Sequence, residues 1–327
     1  MTATATTKPT ARVLAMGRAT RDAYGEALLE LGRAHAEVYA LDADLSKSTK
    51  SAVFGDVFPD RFLNVGIAEA NMVSIACGLA STGKRVFCSS FAVFVMAKAF
   101  DQLRVGMAYS GLPIVVVGSH GGISLGEDGP SQMSIEDFGL AMLLPGCVVC
   151  CPADEHAMKA LVRRAYEHPG GVYIRASRPK APIVHAKTTD FQFGRAVELE
   201  AGTDVTLVAT GLMVGAALQA HDLLRAEGVS ARVLDAHTIR PLDHAALERA
   251  ARETGAVVVA EEHLVHGGLA SAVALSLAER TPAPIEVVGL TGYAESGTPD
   301  ELFDRYHLRA ADVAAAARKA VARKRRG

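Results

Sequence analysis

Apolar, strand-like runs alternate with helix-period stretches from one end of this 327-residue chain to the other. That alternation restricts the fold to parallel sheets covered by helices. In the first part the strand-like runs are 38–41, 62–65, 85–88, 114–118, 148–151 and 172–174, with helical periods over 19–32, 68–80, 91–108 and 154–167 between them. The pattern pauses at 178–203, which carries two prolines and no helical period, and then resumes from residue 204. The reading is α/β throughout: two doubly wound domains, 1–185 and 204–327, the second a smaller Rossmann-like sheet, with a linker near 178–203. Ligands of such sheets gather at the carboxyl ends of strands, so the loops leaving those ends hold the candidate chemistry.

Composition narrows the class. The length suits two domains of roughly 150 residues, and 50% apolar with 21% charged residues excludes disordered, collagen-like and coiled-coil chains. No run reaches the roughly 18 uncharged apolar residues of a membrane span, and the first residues lack the apolar block of a secretory signal. Thirty-four basic against 36 acidic residues, with mixed signs, point away from nucleic acid. One exception is 318–326, with six cations and no anion, read as the last turns of a helix opposing its dipole and fraying into solvent. Cysteines 77, 88, 147, 150 and 151 lie in apolar surroundings and read as free thiols of a reducing, cytoplasmic compartment. Cys147 and Cys150 form a Cys-x-x-Cys, but on a buried strand positions three apart face opposite sides, so buried small hydrophobes are the expectation.

The richest loop is Ser-His-Gly-Gly-Ile-Ser-Leu-Gly-Glu-Asp-Gly-Pro-Ser-Gln at 119–132, which presents His120, Glu127, Asp128 and Gln132 at a strand's carboxyl end. It also mimics a hydrolase elbow around Ser124. There, however, the elbow joins a strand to a helix well downstream of the oxyanion loop, so Ser124 is not expected to be a nucleophile. Glu69 stands where a strand ends and a helix begins; taken alone, it reads first as a partner for the helix dipole. Phe91 and Phe94, one helical turn apart, read as core. Arg175 and Arg178 suit bidentate phosphate or carboxylate contacts, with surface ion pairs as the alternative. Glu261, Glu262, His263 and His266 form a weak metal pattern, and an interface or loop-packing role is favoured.

Taken together, these segments resemble the pyrimidine-binding and carboxyl-terminal domains of transketolases. The resemblance rests on Ala-Thr-Arg-Asp-Ala-Tyr-Gly at 19–25, Leu-Asp-Ala-Asp-Leu-Ser-Lys-Ser-Thr at 41–49, Val-Gly-Ile-Ala-Glu-Ala-Asn-Met at 65–72, the run at 89–94, the 119–132 loop, Ile-Arg-Ala-Ser-Arg-Pro at 174–179 and Thr-Ile-Arg-Pro-Leu-Asp at 238–243. It implies thiamine diphosphate as cofactor. Glu69 then hydrogen-bonds N1′ of the aminopyrimidine, which requires a protonated carboxyl in a dry pocket, and Phe91 and Phe94 line the pyrimidine site. His120 and Asp128 match residues that contact the donor hydroxyls, His120 also guiding protons. Gln132 stands where many transketolases have His. Arg21, Ser48 and Arg178 match the groups that hold the sugar phosphate.

Two departures matter. Ala70 replaces the Gln or His common after the catalytic Glu. The Gly-Asp-Gly and Asn that bind the diphosphate and its metal are absent, because Glu-Asp-Gly at 127–129 has the wrong first residue and context. The resemblance therefore implies the C-terminal subunit of a split transketolase, with Mg2+ or Ca2+ and the diphosphate on a partner subunit in an α2β2 assembly. The rival readings are the β subunit of a 2-oxo acid dehydrogenase and a non-catalytic binding or regulatory subunit.

Overall fold

A computed structural model describes residues 11–324. Its strands are β1 (Met16–Ala19), β2 (Val38–Asp42), β3 (Phe62–Asn64), β4 (Arg85–Phe91), β5 (Ile114–Ser119), β6 (Val148–Cys150), β7 (Val172–Ala176), β8 (Lys180–Pro182), β9 (Val197–Glu200), β10 (Val205–Ala209), β11 (Ala231–Asp235), β12 (Thr238–Arg240), β13 (Val257–Leu264) and β14 (Ile285–Leu290). One sheet has the order β12-β6-β7-β5-β4-β2-β3, a second the order β14-β13-β10-β11-β9, and β1 pairs with β8 in a two-stranded ribbon. Both large sheets are parallel except at one edge, where β12 and β9 run antiparallel to their neighbours. The central strand β5, Ile-Val-Val-Val-Gly-Ser, is buried at every position, as helices on both faces demand.

Helices fill both faces. Glu155–Glu167 buries Ala157, Met158, Leu161, Val162 and Ala165 along one stripe, and Asp154 caps it by accepting from the Ala157 N–H at 2.9 Å. Thr20–Ala34 packs beside it on the same face. On the opposite face one continuous core joins the domains. Val149, Cys151 and Tyr173 of the first sheet share it with Val208, Leu234, Ile239 and Val257 of the second part of the chain. Each such Val or Leu contributes roughly 1.5–3 kcal/mol by burial, so the halves are bound as one core rather than hinged.

Several expectations change here. The helix expected over 91–108 is interrupted. Phe91 is extended (φ −67°, ψ 144°) and ends β4, Ala92–Lys98 is helical, and the backbone leaves the helical region at Ala99 before a π-type turn over Leu103–Tyr109. Apolar periodicity persists through such a bend and cannot signal it. The segment 178–203, expected as a linker, carries β8 and β9, and β12 of the second part of the chain completes the first sheet. The basic end does not fray where it is described. Arg318 pairs with Glu227, Lys319 and Arg323 pair with Glu286, and Lys324 donates to the Thr254 carbonyl. Arg325 and Arg326 lie outside the described residues. Cys88, Cys147, Cys150 and Cys151 are buried free thiols, and Cys77 is half-buried and free. Among the described residues no helix is long and apolar enough to cross a membrane.

Candidate active site

The site starts from strand register. β4 and β5 are parallel neighbours with Phe91 opposite Ser119, so the chain leaves both carboxyl ends side by side. This sets the Phe91 ring against the His120 imidazole, centroids 3.9 Å apart and planes 23° from parallel. Gly118 permits the approach, since a Cβ there would collide with Ala92. Phe94 stacks on the Phe91 ring at 5.8 Å, so the pair forms a wall rather than closed core.

Glu69 opens the helix Glu69–Ser81 and is 3% exposed. Its carboxylate receives the Ser90 hydroxyl at 3.4 Å and pairs with the Lys98 ammonium at 3.4 Å. Lys98 also sits 4.6 Å from the Phe94 ring centre. A buried carboxyl group linked through Ser90 and Lys98 to flat aromatic rings gives a planar nitrogen heterocycle a polar anchor, able to share a proton with a ring nitrogen, beside an aromatic wall, so these residues fit an aminopyrimidine. Among the described residues no three His, Cys, Asp or Glu side chains converge as a metal-binding group.

His120 has a left-handed backbone (φ 60°) and is buried. Its Nδ1 lies 2.8 Å from the Ser119 hydroxyl and its Nε2 3.1 Å from an Arg21 guanidinium nitrogen. Arginine only donates, so Nε2 accepts and the ring proton sits on Nδ1. Burial, reinforced by Arg21, Arg178 and Lys50, pushes the imidazole down to about 3, and the ring is neutral near pH 7. Arg21 also donates to the Ser48 carbonyl at 3.1 Å. Arg178 pairs with Glu127 at 2.8 Å and donates to the Leu125 carbonyl. Burial first, and Arg178 also, lower the Arg21 pKa. The neutral imidazole thus lies in the field of three cations, of which Lys50 pairs with Asp22 at 3.3 Å and Arg178 with Glu127.

The structure joins Arg21, Ser48, Phe91, Phe94 and His120 by direct contact, with Glu69 reached through Ser90 and Lys98. Asp128 is exposed beside Glu127, and the Gln132 amide receives the neighbouring Ser131 hydroxyl, so neither bonds to the cluster. Lys98 and Lys50 were not anticipated. For Lys98 a signal existed, because a cation four residues after Phe94 shares its helix face. Arg175 corrects the surface ion-pair expectation: it is 4% exposed and pairs with buried Asp137 at 2.8 Å. Ser124 is buried, and its backbone N–H bonds to Glu262. His263 is buried whereas His266 is exposed, and neither belongs to a group of three candidate ligands among the described residues.

Two α/β domains sharing one core, with a buried carboxylate and an aromatic wall at the carboxyl edge of the first sheet, define the architecture of a thiamine-dependent pyrimidine-binding domain joined to its C-terminal partner domain. Family models agree: the pyrimidine-binding domain of transketolase matches residues 16–183 and the transketolase C-terminal domain matches 194–313. The chain belongs to the transketolase family. It is 39% identical to a 6-deoxy-6-sulfo-D-fructose transketolase subunit of Clostridium sp. (strain MSTE9) over 93% of this chain and 95% of that one. It is 40% identical to human transketolase over 92% of this chain but only 48% of that protein, so it spans about half the human enzyme. Among solved structures, a split-gene transketolase in an inactive β4 tetramer superposes with a TM-score of 0.88 at 45% identity, over 94% of this chain and 99% of that one.

Proposed function

We propose that this chain is the C-terminal subunit of a cytoplasmic, thiamine diphosphate-dependent transketolase that moves a two-carbon ketol unit from a ketose phosphate to an aldose acceptor. A partner subunit supplies the diphosphate-binding domain and its Mg2+ or Ca2+, in an α2β2 assembly. The observation that carries this reading is the stack of Phe91 on His120 at the ends of β4 and β5, with Arg21 on the imidazole edge and buried Glu69 bonded to Ser90, the residue before Phe91.

When bound, thiamine diphosphate supplies the centre that stabilises the carbanion equivalent as the ketose C2–C3 bond breaks. Glu69 would hold a proton at N1′ of the aminopyrimidine, and Phe91 and Phe94 would line one wall of its pocket and exclude water from it. His120, neutral with a free lone pair at Nε2, accepts from a donor hydroxyl once Arg21 yields that position. Asp128 and Gln132 meet further hydroxyls of the sugar. Arg178, Arg21 and Ser48 hold its tetrahedral anionic end, and Arg178 does so by exchanging Glu127 for substrate oxygens.

Co-expression with a chain carrying Gly-Asp-Gly and Asn, followed by an activity screen over ketose phosphates, tests the reading. Ketol transfer that Glu69→Ala abolishes, with assembly intact, is the expected result. Full activity in that variant, or carbon dioxide release from a 2-oxo acid, overturns it.

A further inference from the structure

The buried run Glu261-Glu262-His263 on β13 takes no part in the chemistry above, yet it meets the substrate loop. Glu261 accepts the N–H groups of Leu269 and Ala270, both at 2.7 Å, and so starts the helix Leu269–Arg280. His263 stacks on Phe138 at 4.9 Å, and the Arg175 guanidinium lies 4.2 Å from the same ring. Glu262 reaches across to the first sheet. Its carboxylate accepts the Ser124 N–H at 2.5 Å, in the middle of the 119–132 loop, and its carbonyl accepts from Arg175 at 2.8 Å.

Arg175 extends the grip. It donates to the Ser134 carbonyl at 2.5 Å, and the same carbonyl accepts the Gly122 N–H at 2.6 Å. Gly122 has φ 80°, and a Cβ on it would run into the Glu262 carboxyl. Glu262 is 6% exposed. Burial pushes its carboxyl up, while Arg175 and the amides of Ser124 and Ile123 draw it down. A buried carboxylate survives only where such donors are fixed around it, so the loop backbone and Glu262 hold each other.

We propose that Glu262 is a positioning residue for ketol transfer, resting on the function proposed above. From the second domain it fixes the backbone of the loop that carries His120 and Asp128 and that binds Arg178 through the Leu125 carbonyl. A shift of about 1 Å in such groups can cost on the order of a hundredfold in rate. The second domain is thereby part of the substrate site without touching substrate.

The test uses the complex with its partner subunit, in the variants Glu262→Ala, Glu262→Gln and Gly122→Ala. Readouts are donor KM and kcat, thiamine diphosphate affinity by calorimetry, and amide hydrogen exchange across 121–126. Glu262→Ala is expected to raise donor KM about tenfold or more, leave cofactor affinity within about twofold, and speed exchange at Ser124. Glu262→Gln, which keeps an oxygen acceptor, is expected to restore both KM and protection. Wild-type KM and exchange in Glu262→Ala, or equal losses in the two variants, overturn the proposal. If Glu262→Ala does not fold, Gly122→Ala carries the test, since its Cβ displaces the carboxylate; an unchanged KM there overturns it too. If the wild-type complex transfers no ketol unit, the parent reading fails. Exchange at Ser124 then decides alone, and unchanged protection in the folded Glu262 variants refutes the clamp.

Discussion

The His120 imidazole lies flat on the Phe91 ring at 3.9 Å, while its Nε2 faces the Arg21 guanidinium at 3.1 Å. One residue therefore joins the two halves of the proposed site, with the aromatic pair on its face and the Arg21 cation at its edge. Protonating it would set a cation against Arg21, Arg178 and Lys50 in a dry pocket, which is why its proton is lost so readily.

The pH consequence follows in sign. The folded imidazole titrates at about 3, below its ordinary 6.5, so the unfolded chain takes up this proton first. Its contribution to stability is complete above 6.5 and declines as the pH falls toward 3. In the assembled enzyme, kcat/KM between pH 5 and 8 is expected to carry no inflection from His120. A limb near pH 6.5 in the wild type that His120→Asn removes would contradict this.

Arg178 is part-exposed and held by Glu127, a pairing that a phosphate could exchange under the proposed function. Arg178→Ala is expected to raise KM for ketose phosphates by about 10- to 100-fold, the 1.5–3 kcal/mol of a charged hydrogen bond, with little effect on an unphosphorylated ketose. Glu127→Gln removes the competing carboxylate and should lower that KM. Steady-state kinetics with both donors reads the difference.

The Arg175–Asp137 pair is fully enclosed, and the Tyr173 hydroxyl adds a 2.6 Å bond to the same carboxylate. Arg175→Met strands that charge and is expected to cost about 3–5 kcal/mol in urea unfolding. Combining it with Asp137→Leu should recover most of the loss. A single variant as stable as the wild type would show that the pair carries no such weight.

Burial pushes the Glu261 carboxyl up to about 7 against the two amides it accepts. The folded state therefore favours the protonated form, and this group's contribution is fullest below its ordinary 4.5 and declines as the pH rises through 7. Glu261→Gln is expected to flatten the dependence of unfolding free energy on pH between 5 and 7.5, a window in which the wild type loses up to roughly 3 kcal/mol from this residue. Parallel curves for the two proteins would refute it.

Much of this was legible in the sequence because it depends on local pattern. Strand runs such as 114–118 and the helix 154–167 appear within a residue or two, since burial on both faces and a capped apolar stripe leave direct traces. The contact between Phe91 and His120 arises at the neighbouring ends of β4 and β5, a place that the alternation of strands and helices marks out. Arg175 was not legible, because a charge at a strand end looks the same whether solvent or Asp137 awaits it. Nor was the bend at Ala99, which keeps its apolar period while changing its backbone. Long-range pairing, as between Glu262 and Ser124, leaves no periodicity at all.

The strand Thr238–Arg240 comes from the second part of the chain yet closes the edge of the first sheet by pairing with β6. For anyone cutting or recombining such genes, that stitch decides what counts as a module. A fragment ending in the 178–203 segment keeps every residue proposed to touch cofactor or substrate, loses Glu262, and leaves Val149 and Cys150 as an unpaired, apolar sheet edge, a surface that invites aggregation. The smallest exchangeable cassette is thus the whole two-domain unit, and swaps between relatives succeed only when both halves travel together.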